Sequence, residues 1–347
     1  MAFRLTTTAL SFLAVLAGTG AMAADWSQVN RDRFNDDAVA VDVEHPAWFK
    51  HSFLDLRDDL AEARKAGKTG IVLYLSTRRC SYCRAFVDFT LAEPDIRQAM
   101  QRHFDVIGLE VISNAEITDV QGKTWTVKDY VAHEKAYVTP ALIFIRHDGQ
   151  QLLRIVGYYP PEKFRGVLAY LLEGHYRREP LGPFLGRREG ADKSGGGAIT
   201  RDPELFGTPP ATLDRRAAPA ARPLLVLLER PGCADCEEFH RTVLKQPAIR
   251  ALIRRYDAVQ LDMTDAKTMV VTPSGERLTL RQWAERLNVA YAPALVFFDE
   301  RGQEVFRLDS ELRRERTEGS LQLVLEKGYL DEPQLQRWRN MTRGGGR

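Results

Sequence analysis

The 347-residue chain has four cysteines, and all of them fall in two CxxC pairs, Cys80/Cys83 and Cys233/Cys236. Cysteines three apart at the start of a helix sit on adjacent corners of one turn, close enough to bond to each other. The first of them faces unpaired backbone N–H groups and the positive end of the helix dipole, which stabilise a thiolate. Such a pair can cycle between dithiol and disulfide. Purely structural disulfides are the plainer reading, but a three-residue spacing closes too small a loop to stabilise much. A zinc site needs four ligands, and the two pairs stand in separate segments. Haem attachment needs a histidine after the second cysteine, where Arg84 and Glu237 stand. His240, four residues beyond Cys236, could add a ligand and is read instead as solvated or capping. No metal and no cofactor is expected.

The surrounding pattern supplies elements to hold each pair. Ile71–Leu75 is a continuous apolar run that reads as a buried strand, and Phe86, Val87, Phe89 and Thr90 fit the first turns of an amphipathic helix after the cysteines. Upstream, Ser52 with Asp55 three residues on predicts a capping box opening a helix through Phe53, Leu56, Leu60 and Ala63. Downstream, Glu93-Pro94 interrupts a helix, Val106–Val111 is a second strand, and Thr126 with Asp129 opens another helix. Pro140 leads into a strand through Ile145, His147–Gln150 is a hairpin turn, and Leu152–Val156 returns. A last helix begins at Pro160-Pro161 and Gly174 closes it.

The same order begins again at Leu224–Leu228, followed by Cys233 and Cys236. At a constant offset of 153, Pro94 matches Pro247, Ile96 matches Ile249, Thr126 matches Thr279, Pro140 matches Pro293 and Gly149-Gln150 matches Gly302-Gln303. So many matches on one diagonal make the chain a tandem duplication. The boundaries are a first domain at 45–178, a Pro/Gly-rich linker at 179–212, flexible around Ser194–Gly197, and a second domain at 213–340. Trp125, Tyr130, Trp283 and Phe297 read as core, and the charged run Glu311–Arg316 as a solvated helix face.

Each half resembles the thioredoxin fold, and more closely the periplasmic SoxW-type thioredoxin-like proteins. The resemblance rests on a strand, a CxxC opening a helix, a downstream proline before the next strand, a hairpin and a terminal helix, all found twice. It implies an α/β chain of two tandem domains, each a mixed central sheet flanked by helices, and thiol–disulfide exchange as the activity. It further implies that Cys80 and Cys233 attack and that Cys83 and Cys236 resolve. Pro140 and Pro293 match the family's cis-proline, and Thr139 and Ala292 match the preceding residue that contacts substrate. The sequence departs from thioredoxin itself in having Arg79 and Gly232 where tryptophan precedes the first cysteine, and Tyr74 and Leu227 in the region of its buried aspartate.

The two sites differ in charge. Arg78, Arg79 and Arg84 surround Cys80 and favour a thiolate, whereas Asp235, Glu237 and Glu238 disfavour one at Cys233. A lower thiol pKa and a more oxidising pair are therefore expected at the first site. At the N-terminus, Arg4, the apolar run Leu10–Ala17 and Ala21-Met22-Ala23 form a secretory signal peptide over 1–23. That run is too short for a membrane anchor, so an exported, periplasmic protein is expected. The formal net charge of +2 and the lack of a basic aromatic stripe speak against nucleic acid. The expected partners are periplasmic disulfide-containing proteins and a membrane thiol electron donor, with reduction the leading direction. Isomerisation, and client binding with incidental redox activity, are the alternatives.

Overall fold

A computed structural model describes residues 36, 42–192, 197–207 and 211–344. The signal peptide expected at 1–23 lies outside the described residues. In the first domain, helix α1 (Leu56–Lys65) leads to strand β1 (Gly70–Ser76). Helix α2 (Ser81–Ala85) follows and continues as a wider π-type turn over Phe86–Thr90. Then come α3 (Pro94–His103), β2 (Phe104–Glu110), the short hairpin β3 (Glu116–Thr118) and β4 (Thr124–Thr126), and α4 (Val127–His133). Strands β5 (Ala141–Arg146) and β6 (Gln151–Val156) and helix α5 (Pro161–Leu172) complete the domain.

The sheet order is β2-β1-β5-β6, with β1 and β2 parallel and the other pairs antiparallel. Every residue of β1 is buried because helices cover both faces of the sheet. Alternation then divides its side chains. Ile71, Leu73 and Leu75 pack with α1 and α4, while Val72 and Tyr74 pack with α2, α3 and α5. Thr126 caps α4 as expected, its hydroxyl accepting from the Asp129 N–H at 3.1 Å. The start of α1 differs from expectation. Asp55, not Ser52, is the cap, and Phe53 is fully exposed outside the helix. Leu54 has φ +65, which breaks any helix begun at Ser52, and the Ser52 hydroxyl instead donates to Asp59 at 2.6 Å.

The second domain repeats the plan with β8 (Leu224–Glu229), α7 (Ala234–Thr242), α8 (Pro247–Ile253), β9 (Asp257–Asp262), β10 (Met269–Val271) and β11 (Arg277–Thr279). It continues with α9 (Leu280–Arg286), β12 (Ala294–Phe298), β13 (Glu304–Leu308) and α10 (Arg314–Leu325), and adds α11 (Leu335–Gly344). Its sheet order, β9-β8-β12-β13, and its strand directions copy the first. Trp283, Tyr130 and Phe297 are buried as expected, and Trp125 is half-buried with its indole N–H donating to Asp119 at 2.7 Å.

The segment read as a linker carries structure of its own. Helix α6 (Leu181–Asp192) puts Leu181, Phe184 and Leu185 into the first domain's core. Gly182 of that helix lies so close to the second domain that a Cβ there would meet the Val289 carbonyl oxygen at 2.1 Å. Further on, Leu205 and Phe206 join the second domain's core, and β7 (Ala211–Thr212) pairs with β10. The two domains meet face to face. The Tyr158 carbonyl accepts from the Glu311 N–H at 3.0 Å, the Tyr159 hydroxyl donates to the Asp309 carbonyl at 3.2 Å, and the Tyr159 and Tyr291 rings stack edge-on at 5.5 Å. Among the described residues no helix is long and apolar enough to cross a membrane.

Candidate functional site

Each CxxC pair stands where a buried strand ends and a helix begins. Cys80 is the N-cap of α2, and its sulfur accepts from the Cys83 N–H at 3.0 Å. Cys233 caps α7 in the same way, accepting from the Cys236 N–H at 3.1 Å. Both pairs are disulfide-bonded, with Cα–Cα distances of 5.2 Å. All four cysteines are buried.

The residues before the two matched prolines close over the sulfurs. Cys80 Sγ lies 3.8 Å from the Thr139 carbonyl oxygen and 3.4 Å from the Thr139 hydroxyl. Cys233 Sγ lies 3.5 Å from the Ala292 carbonyl oxygen. The Thr139–Pro140 and Ala292–Pro293 peptide bonds are cis, and both prolines are buried. Cys80, Cys83, Thr139 and Pro140 thus come together in one domain, and Cys233, Cys236, Ala292 and Pro293 in the other. The hydrogen bond from the backbone to the first sulfur of each pair also favours its thiolate once the disulfide is reduced.

Charge is distributed differently from what linear proximity suggests. Arg78 and Arg79 are exposed, with Arg79 3.9 Å from Asp42, and Arg84 pairs with Asp88 along the helix. A buried cation reaches the first site from the other domain. Arg316 of α10, only 1 % exposed, lays its guanidinium 3.3 Å from the centre of the Tyr82 ring and donates to the Thr139 carbonyl at 2.5 Å. The run Glu311–Arg316 is therefore a seam between domains and not a solvated face. The stacking of the guanidinium on Tyr82 provides the physical reason, since this planar, weakly hydrated cation tolerates such burial.

The second site has the matching arrangement. Lys163 of α5, 7 % exposed, places Nζ 3.6 Å from Asp235 and 4.6 Å from the centre of the Tyr291 ring. Lys163 and Arg316 are 153 apart, as are Tyr82 and Asp235, so each CxxC pair receives a cation from the equivalent turn of the opposite domain. Asp235 also accepts from the Tyr291 hydroxyl at 3.0 Å. Burial lowers Lys163 to about 8, despite Asp235 pulling the other way. Sequence reasoning missed both cations. The signal was present as a basic residue recurring at the repeat offset within the terminal helices.

Beneath the second site lies a buried polar cluster. Glu229, fully buried, accepts from Gln260 Nε2 at 2.5 Å and faces His240 Nε2 at 3.0 Å. His240 is thus neither solvated nor a cap, because the Glu229 carboxylate draws it inward. In the first domain the equivalent residue is Ser76, which bonds His45 at 2.7 Å. Among the described residues no group of three or more His, Cys, Asp or Glu side chains is placed to hold a metal ion.

Two domains of this fold, each holding a bonded CxxC pair at a helix start, define a thiol–disulfide oxidoreductase. The chain belongs to the thioredoxin-like domain family, whose model matches residues 56–172 and 213–325. Among solved structures it is similar to a thioredoxin-fold protein from Helicobacter pylori at 15% identity, over 41% of this chain and 93% of that one, with a TM-score of 0.35. It is similar to a thioredoxin from Thermus thermophilus at 24% identity, over 31% of this chain and 76% of that one, with a TM-score of 0.25. The C-terminal domain of DsbD from Neisseria meningitidis, in its reduced form, matches at 21% identity, over 33% of this chain and 90% of that one, with a TM-score of 0.23. At such identities and scores no activity is carried over from these three proteins. No curated protein matches the chain.

Proposed function

We propose that this protein is exported to the periplasm and there reduces disulfides in other proteins, drawing electrons from a membrane thiol donor, in the manner of the SoxW-type proteins it resembles. The observation that carries the exchange chemistry is the repeated geometry of a helix-capping cysteine sulfur under the carbonyl of the residue before a matched proline. The Cys80 or Cys233 thiolate attacks one sulfur of a client disulfide; that S–S bond breaks and one client thiolate leaves. The Cys83 or Cys236 thiolate then displaces the second client sulfur. The site ends as a disulfide and the client as a dithiol, two electrons and two protons richer. Export rests on the sequence of residues 1–23. In this reading Arg78 and Arg79 bias the first pair towards thiolate, Asp235 biases the second away from it, and the first is the more oxidising.

Trapping tests the proposal. Cys83→Ala and Cys236→Ala leave an attacking thiol with no resolving partner, so each should accumulate mixed disulfides with periplasmic proteins that reductant releases. If neither variant captures any, exchange with client proteins is refuted. Clients that bind equally well to Cys80→Ser and Cys233→Ser variants would point instead to a binding module.

A further inference from the structure

We propose that Arg316, carried by the second domain, is a positioning residue of the first redox pair, fixing the Thr139 carbonyl and supplying the positive charge beside Cys80 when that sulfur becomes a thiolate. This rests on the exchange reading above and names a part of that site contributed from outside its own domain.

The geometry is direct. Arg316 Nη2 and Cys80 Sγ approach the same oxygen, the Thr139 carbonyl, at 2.5 and 3.8 Å, so the sulfur and the guanidinium are separated by no more than those two distances together. The guanidinium is buried, and its Nε and Nη1 have no hydrogen-bond partner among the described residues. Burial costs this cation more than nearby Asp36 returns, so a further anion forming beside it relieves a cost. Reduction of Cys80–Cys83 creates that anion. Arginine remains charged in such a place because its ordinary pKa is so high, even though burial lowers it.

Among the described residues, the other charges around Arg316 have partners. Asp36 accepts from the Tyr82 hydroxyl at 2.9 Å and from the N–H groups of Glu315 and Arg316 at 2.9 and 3.3 Å. Glu315 is paired with Arg339 at 2.6 Å, and Arg313 with Glu311 at 3.2 Å. From the first domain's side, Arg84 is paired with Asp88, Arg78 is exposed, and Arg79, also exposed, lies 3.9 Å from Asp42. At the second site the equivalent cation, Lys163, faces a carboxylate of the CxxC turn itself, Asp235 at 3.6 Å, in the position where the first site has the neutral ring of Tyr82. The device therefore belongs to the first site.

The test uses the full chain with Cys233→Ser and Cys236→Ser, so that only the first pair is read. The Cys80 thiol pKa is measured by alkylation rate against pH, and the pair's potential by equilibration with glutathione. Arg316→Met should cut the thiolate fraction at neutral pH about tenfold, a rise of about one pKa unit. At a pH above both pKa values, where the reduced pair carries the thiolate, the same tenfold weakening lowers the potential by about 30 mV. Arg316→Lys, which keeps the charge, should restore most of both. Asp36→Asn removes the opposing charge and should shift the Cys80 pKa downward. The proposal is overturned if Arg316→Met leaves both quantities unchanged or if Arg316→Lys shifts them as far as Met does. Should Arg316→Met fail to fold, a Cys80 pKa unchanged or raised in Asp36→Asn overturns it. Because alkylation needs no client protein, this result stands apart from the trapping experiment.

Discussion

Replacing Lys163 with methionine removes a charge that the fold holds in an unfavourable place. Burial between α5 and the second domain lowers Lys163 from 10.5 to about 8, and the partner Asp235 at 3.6 Å does not make up the loss. At 1.36 kcal/mol per unit, the charged form costs the folded state about 3 kcal/mol relative to the neutral amine. Between pH 8 and 10.5 the unfolded chain binds more protons at this residue than the folded one, so stability rises with pH across that window. Below pH 8 the lysine is protonated in both states and the full cost applies. Methionine has nearly the length of the neutral lysine side chain and carries no charge. Lys163→Met should therefore be more stable than the parent by about 3 kcal/mol at pH 7, and the gap should close as pH approaches 10.5. Urea unfolding followed by tryptophan fluorescence at several pH values measures both proteins, and tyrosines titrating in the same range cancel in the difference. A gap that stays constant with pH, or a variant less stable at pH 7, would refute the reasoning.

Two further substitutions test the packing around the sites. Gly157→Ala should cost about 3 kcal/mol in urea unfolding, because a Cβ there would meet Ser310 Oγ at 1.9 Å and the residue holds φ +100. Adding Ser310→Gly should recover the part due to overlap, and a single variant within 0.5 kcal/mol of the parent would contradict the contact. Glu229→Ala removes the buried carboxylate that Gln260 and His240 share and should cost about 2–4 kcal/mol, whereas Glu229→Gln keeps an acceptor oxygen and should cost less. Thermal unfolding of the two variants side by side checks the order.

What was legible in the sequence is what depends on local pattern. The unbroken run Ile71–Leu75 marked a strand covered on both faces, and the Thr126/Asp129 pair marked a helix start. The repeat offset then carried every such assignment into the second half. Ser52 misled because its spacing to Asp55 fits a capping box, while the positive φ at Leu54 has no sequence signature. Helix α6 was hidden by composition: Gly182, Pro183 and Gly186 read as a linker, and only burial of Leu181, Phe184 and Leu185 against the first domain sustains the helix. Hardest to read was the seam. Arg316 and Lys163 look in sequence like ordinary charges on a helix surface, and nothing local says that another domain will cover them.

The contact between Gly157 and Ser310 has a meaning beyond its sterics. These positions are 153 apart, so they are the same residue of the two repeats, and they touch each other. Residues that meet their own equivalents lie on a twofold axis. Around it the other contacts exchange as they would in a homodimer: position 163 reaches the place of 82 in the opposite repeat, and 316 reaches 82 itself. The arrangement is that of a symmetric dimer joined into one chain. In a true homodimer any substitution appears on both sides of the axis at once, so the two sites remain identical. Covalent fusion lifts that restriction, allowing one copy to hold arginine on tyrosine while the other holds lysine on aspartate.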